Sequence, residues 1–200
     1  MNTVLAFDFG ASTGRAVLGH FDGKKISYEE IHRFDNVPLR ENRRIAWDFF
    51  SLLKEVENTV AFCGKVDSLA FDTWGVDYGM ITSNDYLMSL PTNYRDPRTN
   101  GVPEQVFRKI APEKLYHATG NQIMPINTLF QLMTEKGKRL ESACMLFMPD
   151  LFAWALCGSR TVDRTIASTS QMVNPVTGNW DHNITALTPF PVTFFPKIVD

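Results

Sequence analysis

The chain has 200 residues, of which 44% are hydrophobic and 21% charged, with a formal net charge of −2. These totals describe a globular protein of one large domain or two small ones, and they exclude the basic footprint of a nucleic-acid binder. With no apolar run long enough for a bilayer, no secretory leader, and three scattered cysteines (Cys63, Cys144, Cys157), the expectation is a cytoplasmic protein with reduced thiols and no membrane partner.

Leu5-Ala6-Phe7 leads into Asp8-Phe9-Gly10-Ala11-Ser12-Thr13-Gly14-Arg15, and a second apolar run, Ala16 to Gly19, follows. The pattern predicts strand, exposed tight turn, strand, with Asp8 near the end of the first strand. Gly10 and Gly14 are expected to take positive φ and let the backbone approach an anion. Successive amides would then form a nest beside the hydroxyls of Ser12 and Thr13, and Arg15 would add a charge-assisted contact. A carboxylate placed like Asp8 can hold Mg²⁺ through water. A plain hairpin turn carrying a surface arginine is the competing reading of these residues. The turn is not a P-loop, because no Gly-Lys-Ser/Thr follows it.

Phe21-Asp22-Gly23-Lys24 is a hairpin signal, so three strands in a row predict an antiparallel meander. After a polar loop, Asp48 is placed to cap a helix whose Phe49, Leu52, Leu53, Val56 and Val60 share one face. Val66 to Phe71 reads as a buried strand ending in Asp72-Thr73-Trp74-Gly75-Val76-Asp77, with another strand from Tyr78 to Ile81. Meander, helix, strand is the order of a mixed α/β layer, and it places Asp8 and Asp72 at one end of the sheet, where ligands collect. Taken alone, Asp72 could equally cap a turn and Trp74 could be a packing residue.

Tyr94 to Gly101 reads as a loop dense in charge and hydrogen-bonding groups; a solvated ion pair of Arg95 and Asp96 is the bland alternative to a site there. Two short helices follow, Pro103–Ile110 and Pro112–Thr119, the second stopped by Gly120. A longer helix is expected from Asn127 to about Leu140, then a buried strand over Met145–Met148 and a helix from Pro149-Asp150 to Gly158. Thr161 to Met172 is a loop or short helix. The tail, Thr188 to Asp200, has the composition of an inter-domain connector, and its aromatics are expected to lie exposed. His20, His32, His117 and His182 receive no metal or catalytic role, since nothing in the sequence groups them with carboxylates.

Asp8 to Arg15, Phe71 to Asp77, Tyr94-Arg95-Asp96-Pro97-Arg98-Thr99, Asn127 to Leu132, Met148 to Phe152 and Thr169 to Asn174 together resemble the FGGY sugar-kinase family, and within it the rhamnulokinase branch, over essentially the whole chain. The resemblance implies an α/β, ribonuclease-H-like fold of the actin and hexokinase superfamily: a mixed sheet with an antiparallel meander, flanked by helices. It implies transfer of the ATP γ-phosphate, with Mg²⁺, to the 1-hydroxyl of L-rhamnulose or a similar ketose. Ala11, Ser12, Thr13, Gly14 and Arg15 match the family's first phosphate loop, and Asp8 matches its Mg²⁺-associated carboxylate. Many relatives have Thr where this chain has Ala11. Gly75 falls where relatives place a sugar-contacting residue; Trp74, Asp96 and Asn127 lie in segments that line the sugar pocket.

The expected division is residues 1–187 as the N-terminal domain and 188–200 as the start of the inter-domain connector. The catalytic base is expected beyond Asp200, in a C-terminal domain. The isolated chain is therefore expected to be inactive and to self-associate through the face that domain would cover. Two alternatives remain at this stage: a kinase for another ketose or polyol, and a non-catalytic actin-like nucleotide-binding or assembly module.

Overall fold

Alternation of buried and half-buried residues fixes the first sheet. In β1 (Asn2–Phe9), Leu5, Phe7 and Phe9 are buried, while Val4, Ala6 and Asp8 lie on the other face. β2 (Thr13–Phe21) and β3 (Ile26–Asp35) follow as the expected antiparallel meander. Asp22 shapes the turn between them by accepting the Lys24 and Lys25 amides at 2.7 Å each. These observations come from a computed structural model that describes residues 2–41, 43–135 and 142–200.

The chain divides into two units: residues up to Leu39 with Trp47–Trp74, and Arg40–Ala46 with Gly75–Asp200. In the first, helix α1 (Phe49–Cys63) buries Phe49, Leu52, Val56 and Thr59. Asp48 caps it as expected, its Oδ1 accepting the Ser51 amide at 3.2 Å. The chain then returns as β6 (Ser68–Asp72), parallel to β1, and completes a sheet of order β3-β2-β1-β6. Stacked and edge-on rings of Phe7, Phe9, Phe34 and Phe71 fill its buried face. The strand expected to be buried is not: β6 is the outer strand of this sheet, with Ser68, Ala70 and Asp72 exposed and Leu69 and Phe71 half-buried. Its apolar run is short because only one of its faces meets a core.

The second unit begins with a short hairpin, β4 (Leu39–Glu41) and β5 (Arg44–Ala46). β7 (Tyr78–Thr82) pairs antiparallel with β8 (Ser142–Phe147). Helix α5 (Met148–Cys157) packs its Leu151 against Gly79, where any Cβ would meet Leu151 Cδ1 at 2.7 Å. Helices α2 (Val102–Phe107) and α3 (Pro112–Thr119) match the two short helices expected, although α2 ends three residues early. Gly120 and Gly158 close α3 and α5 in the left-handed conformation. The long helix expected from Asn127 is shorter: α4 (Thr128–Leu132) stops at Met133, and positions 136–140 of the expectation lie outside the described residues.

Thr161 to Met172 resolves into β9 (Val162–Asp163), α6 (Arg164–Ala167) and a 3₁₀ turn over Ser168–Ser170. The tail corrects an expectation. Phe190, Phe194, Phe195 and Ile198 are buried in this unit, and Trp180 Nε1 donates to the Pro196 carbonyl at 2.7 Å. β10 (Val173–Asn174) and β11 (Asn179–Trp180) pair antiparallel, and β12 (Ile198–Val199) pairs parallel with β9. Its aromatics are core residues whose partners lie in the preceding fifty residues of the chain. Among the described residues no helix is long and apolar enough to cross a membrane.

Candidate functional site

The turn between β1 and β2 is exposed at Gly10, Ser12 and Thr13 and buried at Gly14. The Gly10 amide donates to the Thr13 carbonyl at 2.8 Å. Asn36, 2% exposed, clamps the turn from beneath: its amide donates to the Ser12 carbonyl and its Nδ2 to the Gly10 carbonyl, both at 2.8 Å. Three carbonyls of the turn are thereby engaged inside the protein. Sequence reasoning missed Asn36, because a single Asn in a polar loop carries no local signal of what it will reach.

Neither turn glycine takes positive φ. The expectation was wrong about the reason for glycine and right about its need. A Cβ on Gly14 would lie 2.3 Å from the Phe34 ring, and one on Gly10 would meet the Thr13 carbonyl at 2.9 Å. Close packing, not backbone handedness, selects glycine here.

Asp8 lies in register with Arg15 on β2 and with Asp72 on β6. Cross-strand partners share a face, so the two carboxylates stand side by side at the carboxyl ends of parallel strands. Arg15 turns onto Asp8: its Nε and Nη2 approach Oδ2 at 2.8 and 2.7 Å. Both side chains are close to half exposed, so the pair adds at most about 1 kcal/mol of stability. The row continues to Arg33, in register with Arg15, whose guanidinium binds Glu30 and is held above its ordinary pKa by that carboxylate.

Half-exposed Asp8 and exposed Asp72 supply hard oxygen ligands of the kind Mg²⁺ prefers. Among the described residues no group of three or more His, Cys, Asp or Glu is placed to hold a metal ion. Two carboxylates side by side fit an ion that keeps most of its water.

Trp74 packs on the fully buried Trp47, ring centroids 3.8 Å apart. In the second unit, the segment Gly75-Val76-Asp77 is a tight turn. The Asp77 amide donates to the Gly75 carbonyl at 2.9 Å, and Val76 sits at φ 67°. That is the rare hand of γ-turn, adopted by a β-branched residue, and such conformations cost roughly 1–3 kcal/mol. The surroundings impose it. Thr169 Oγ1 accepts the Val76 amide at 3.0 Å, and Thr128 Oγ1 donates to the Val76 carbonyl at 2.7 Å. Asp77 is fully buried, accepting the Tyr94 amide at 3.0 Å and Gln131 Nε2 at 2.9 Å.

Asp96 and Asn127 hold segments in place. Asp96 is 3% exposed; it accepts the Ile45 amide at 2.9 Å, the Arg98 amide at 3.0 Å and Arg44 Nη1 at 3.1 Å. The alternative of a solvated Arg95–Asp96 pair does not hold: Asp96 is buried and Arg95 lies over the Tyr94 ring. Asn127 Nδ2 donates to the Gln122 carbonyl and to Gln171 Oε1, at 2.8 and 2.5 Å. The histidines also need one correction, since His32 Nε2 lies 2.7 Å from Glu55 Oε2, a pairing between β3 and α1 that only the tertiary fold creates.

With this geometry established, comparison with known proteins gives a consistent answer. The model of the FGGY family of carbohydrate kinases, N-terminal domain, matches residues 3–200. The chain is 35% identical to a rhamnulokinase from Halalkalibacterium halodurans, over 99% of this chain and 44% of that protein. It is 36% identical to a rhamnulokinase from Oceanobacillus iheyensis, over 97% of this chain and 43% of that protein. The chain thus spans less than half the length of these relatives. Among solved structures, a ligand-bound xylulose kinase from Lactobacillus acidophilus superposes with a TM-score of 0.85 at 16% identity, over 100% of this chain and 42% of that one. A Plasmodium falciparum glycerol kinase with ADP gives 0.77 at 12% identity, over 99% and 43%. The mixed sheet with its meander is thus the sugar-kinase form of the actin and hexokinase fold. The chain belongs to the FGGY family of carbohydrate kinases and corresponds to its N-terminal domain.

Proposed function

We propose that this chain is the phosphate- and sugar-binding part of an ATP-dependent ketose kinase of the rhamnulokinase type, acting at the 1-hydroxyl of L-rhamnulose. The observation that carries the reading is the register of Asp8 with Asp72 beside the Asn36-clamped turn. Phosphoryl transfer needs positioning and charge neutralisation above all. With the carbonyls of Gly10, Ser12 and Thr13 engaged and the Gly10 amide spent on Thr13, the turn offers its remaining amides and the Ser12 and Thr13 hydroxyls to the ATP phosphates. Arg15 exchanges its exposed partner Asp8 for a phosphate oxygen, a swap that costs little. Asp8, freed, and Asp72 beside it would hold Mg²⁺ through its water. Bound there, Mg²⁺ supplies neutralisation of the phosphate charge.

Gly75 is assigned the main-chain contact to the sugar; Trp74, packed on Trp47 in the first unit, is kept as a sugar-binding candidate by resemblance alone. Asp96 acts on the sugar through the segment it holds, since its carboxylate is spent on protein partners, and Asn127 holds its segment through Nδ2. The residues assigned here supply positioning but no base for the sugar hydroxyl. Turnover by the 200-residue chain is therefore expected to be negligible.

Calorimetry tests the binding. Mg-ATP is expected to bind the chain, and Asp8→Asn to weaken it about tenfold, the loss of one charge-assisted contact. L-rhamnulose is expected to bind ahead of L-ribulose, D-xylulose and glycerol. No heat with Mg-ATP at millimolar concentration, or a preference for another sugar, would overturn the respective half of the reading.

A further inference from the structure

The glycine at 75 suggests room for a sugar, yet that room is already filled. A Cβ placed on Gly75 would lie 2.9 Å from Thr169 Cγ2 and 3.0 Å from Thr169 Cβ and Oγ1. Thr169 comes from the 3₁₀ turn after α6, more than ninety residues along the chain, and it meets Gly75-Val76 within the second unit. Its hydroxyl proton is committed, donated to the Ile166 carbonyl at 2.8 Å. That leaves a lone pair for the Val76 amide at 3.0 Å, so the polarity of the contact is fixed. Backbone strain at Val76 persists only while its surroundings over-determine it. Of the two hydroxyls holding the Val76 peptide units, Thr128 fixes the carbonyl and Thr169 the amide.

We infer that Thr169 is a positioning residue of the sugar-binding segment: it locks the turn at Val76 through its hydroxyl. This inference rests on the proposed role of Gly75 in sugar binding. Thr169 itself need not touch the sugar. It decides where the main chain of residues 75–77 stands when the sugar arrives. A valine at 169 keeps the shape and removes the acceptor; a serine keeps the acceptor and removes the methyl.

The test compares wild type, Thr169→Val and Thr169→Ser by calorimetry with L-rhamnulose and by the intraresidue amide-to-Hα Overhauser intensity of Val76, which is strong only at positive φ. Thr169→Val is expected to weaken sugar binding about tenfold and to lose the strong Val76 signal, as follows from removing one buried acceptor. Thr169→Ser is expected to stay within about threefold of wild type and to keep the signal. Equal behaviour of Thr169→Val and wild type in both measurements would overturn the inference, and so would a serine variant as impaired as the valine one. If wild type binds none of the sugars, it is the kinase reading that fails. The Val76 signal still decides the rest: lost in the valine variant, Thr169 holds the turn; retained, it does not.

Discussion

Asp150 offers the most direct check on the physical picture of the second unit. It sits in the first turn of α5, 8% exposed, with Oδ1 accepting the Asp163 amide at 3.1 Å and Oδ2 buried without a partner. Burial pushes its pKa up from 3.8 to about 7, against the opposing pull of the Asp163 amide; the nearby Asp163 carboxylate adds to the rise. A carboxyl whose folded pKa exceeds its unfolded one binds more protons when folded between those two values. Stability is therefore greatest on the acid side, is lost as pH rises from about 4 to about 7, and is flat beyond. The shift corresponds to at most about 4 kcal/mol, and solvent relaxation around a group that is not wholly buried reduces that to about 2–3 kcal/mol. Asp150→Asn keeps the acceptor for Asp163 and removes the charge. Urea unfolding, followed by tryptophan fluorescence at pH steps from 5 to 8.5, is expected to show wild type weakening with pH and the variant nearly level. Above pH 8 the variant is expected to be the more stable by about 2 kcal/mol. Parallel pH profiles for the two proteins would refute the reasoning.

Gly14→Ala, with its Cβ 2.3 Å from the Phe34 ring, is expected to lower stability by about 1–3 kcal/mol in chemical denaturation, whereas a merely conformational glycine would tolerate alanine at this ordinary φ. Asn36→Ala removes the 2.8 Å bond to the Gly10 carbonyl; a stability loss of about 1 kcal/mol and weaker Mg-ATP binding by calorimetry are expected together, and unchanged nucleotide affinity would separate the clamp from the site. Arg15→Ala is expected to leave thermal stability almost unchanged, within about 1 kcal/mol, because its pair with Asp8 is exposed, while Mg-ATP affinity falls.

Much of the first unit could be read from residue order. Apolar runs ending in Asp8 and Asp72, separated by a meander and a capped helix, put both acids at one end of the sheet; that their strands pair in parallel with the acids in register is known only from the fold. The turn was legible as a turn, but its two glycines were read as conformational when Phe34 and the Thr13 carbonyl require them. Asn36, the His32–Glu55 pair and the Arg44–Asp96 contact escaped because each joins residues distant in sequence, and no local periodicity encodes a single long-range hydrogen bond. The tail misled for a related reason. A Pro-rich aromatic composition is shared by linkers and by irregular core segments, and only the burial of Phe190, Phe194 and Phe195 separates the two. Asp96 and Asn127 were legible as important positions but not as struts; a buried amide and a ligand-binding amide look the same in a sequence.

The pairing of β12 with β9 bears on vectorial synthesis. A ribosome delivers the residues of the first sheet and α1 by Trp74, so that core can close early. The hairpin of Arg40–Ala46 emerges with them but hydrogen-bonds to Asn93 and Asp96, and must wait. The second unit waits longer still, because Ile198 and Val199 complete its parallel strand pair. Until those two residues clear the ribosome, Val162 and Asp163 have no strand to pair with, and the aromatic segment before them stays untethered at its far end.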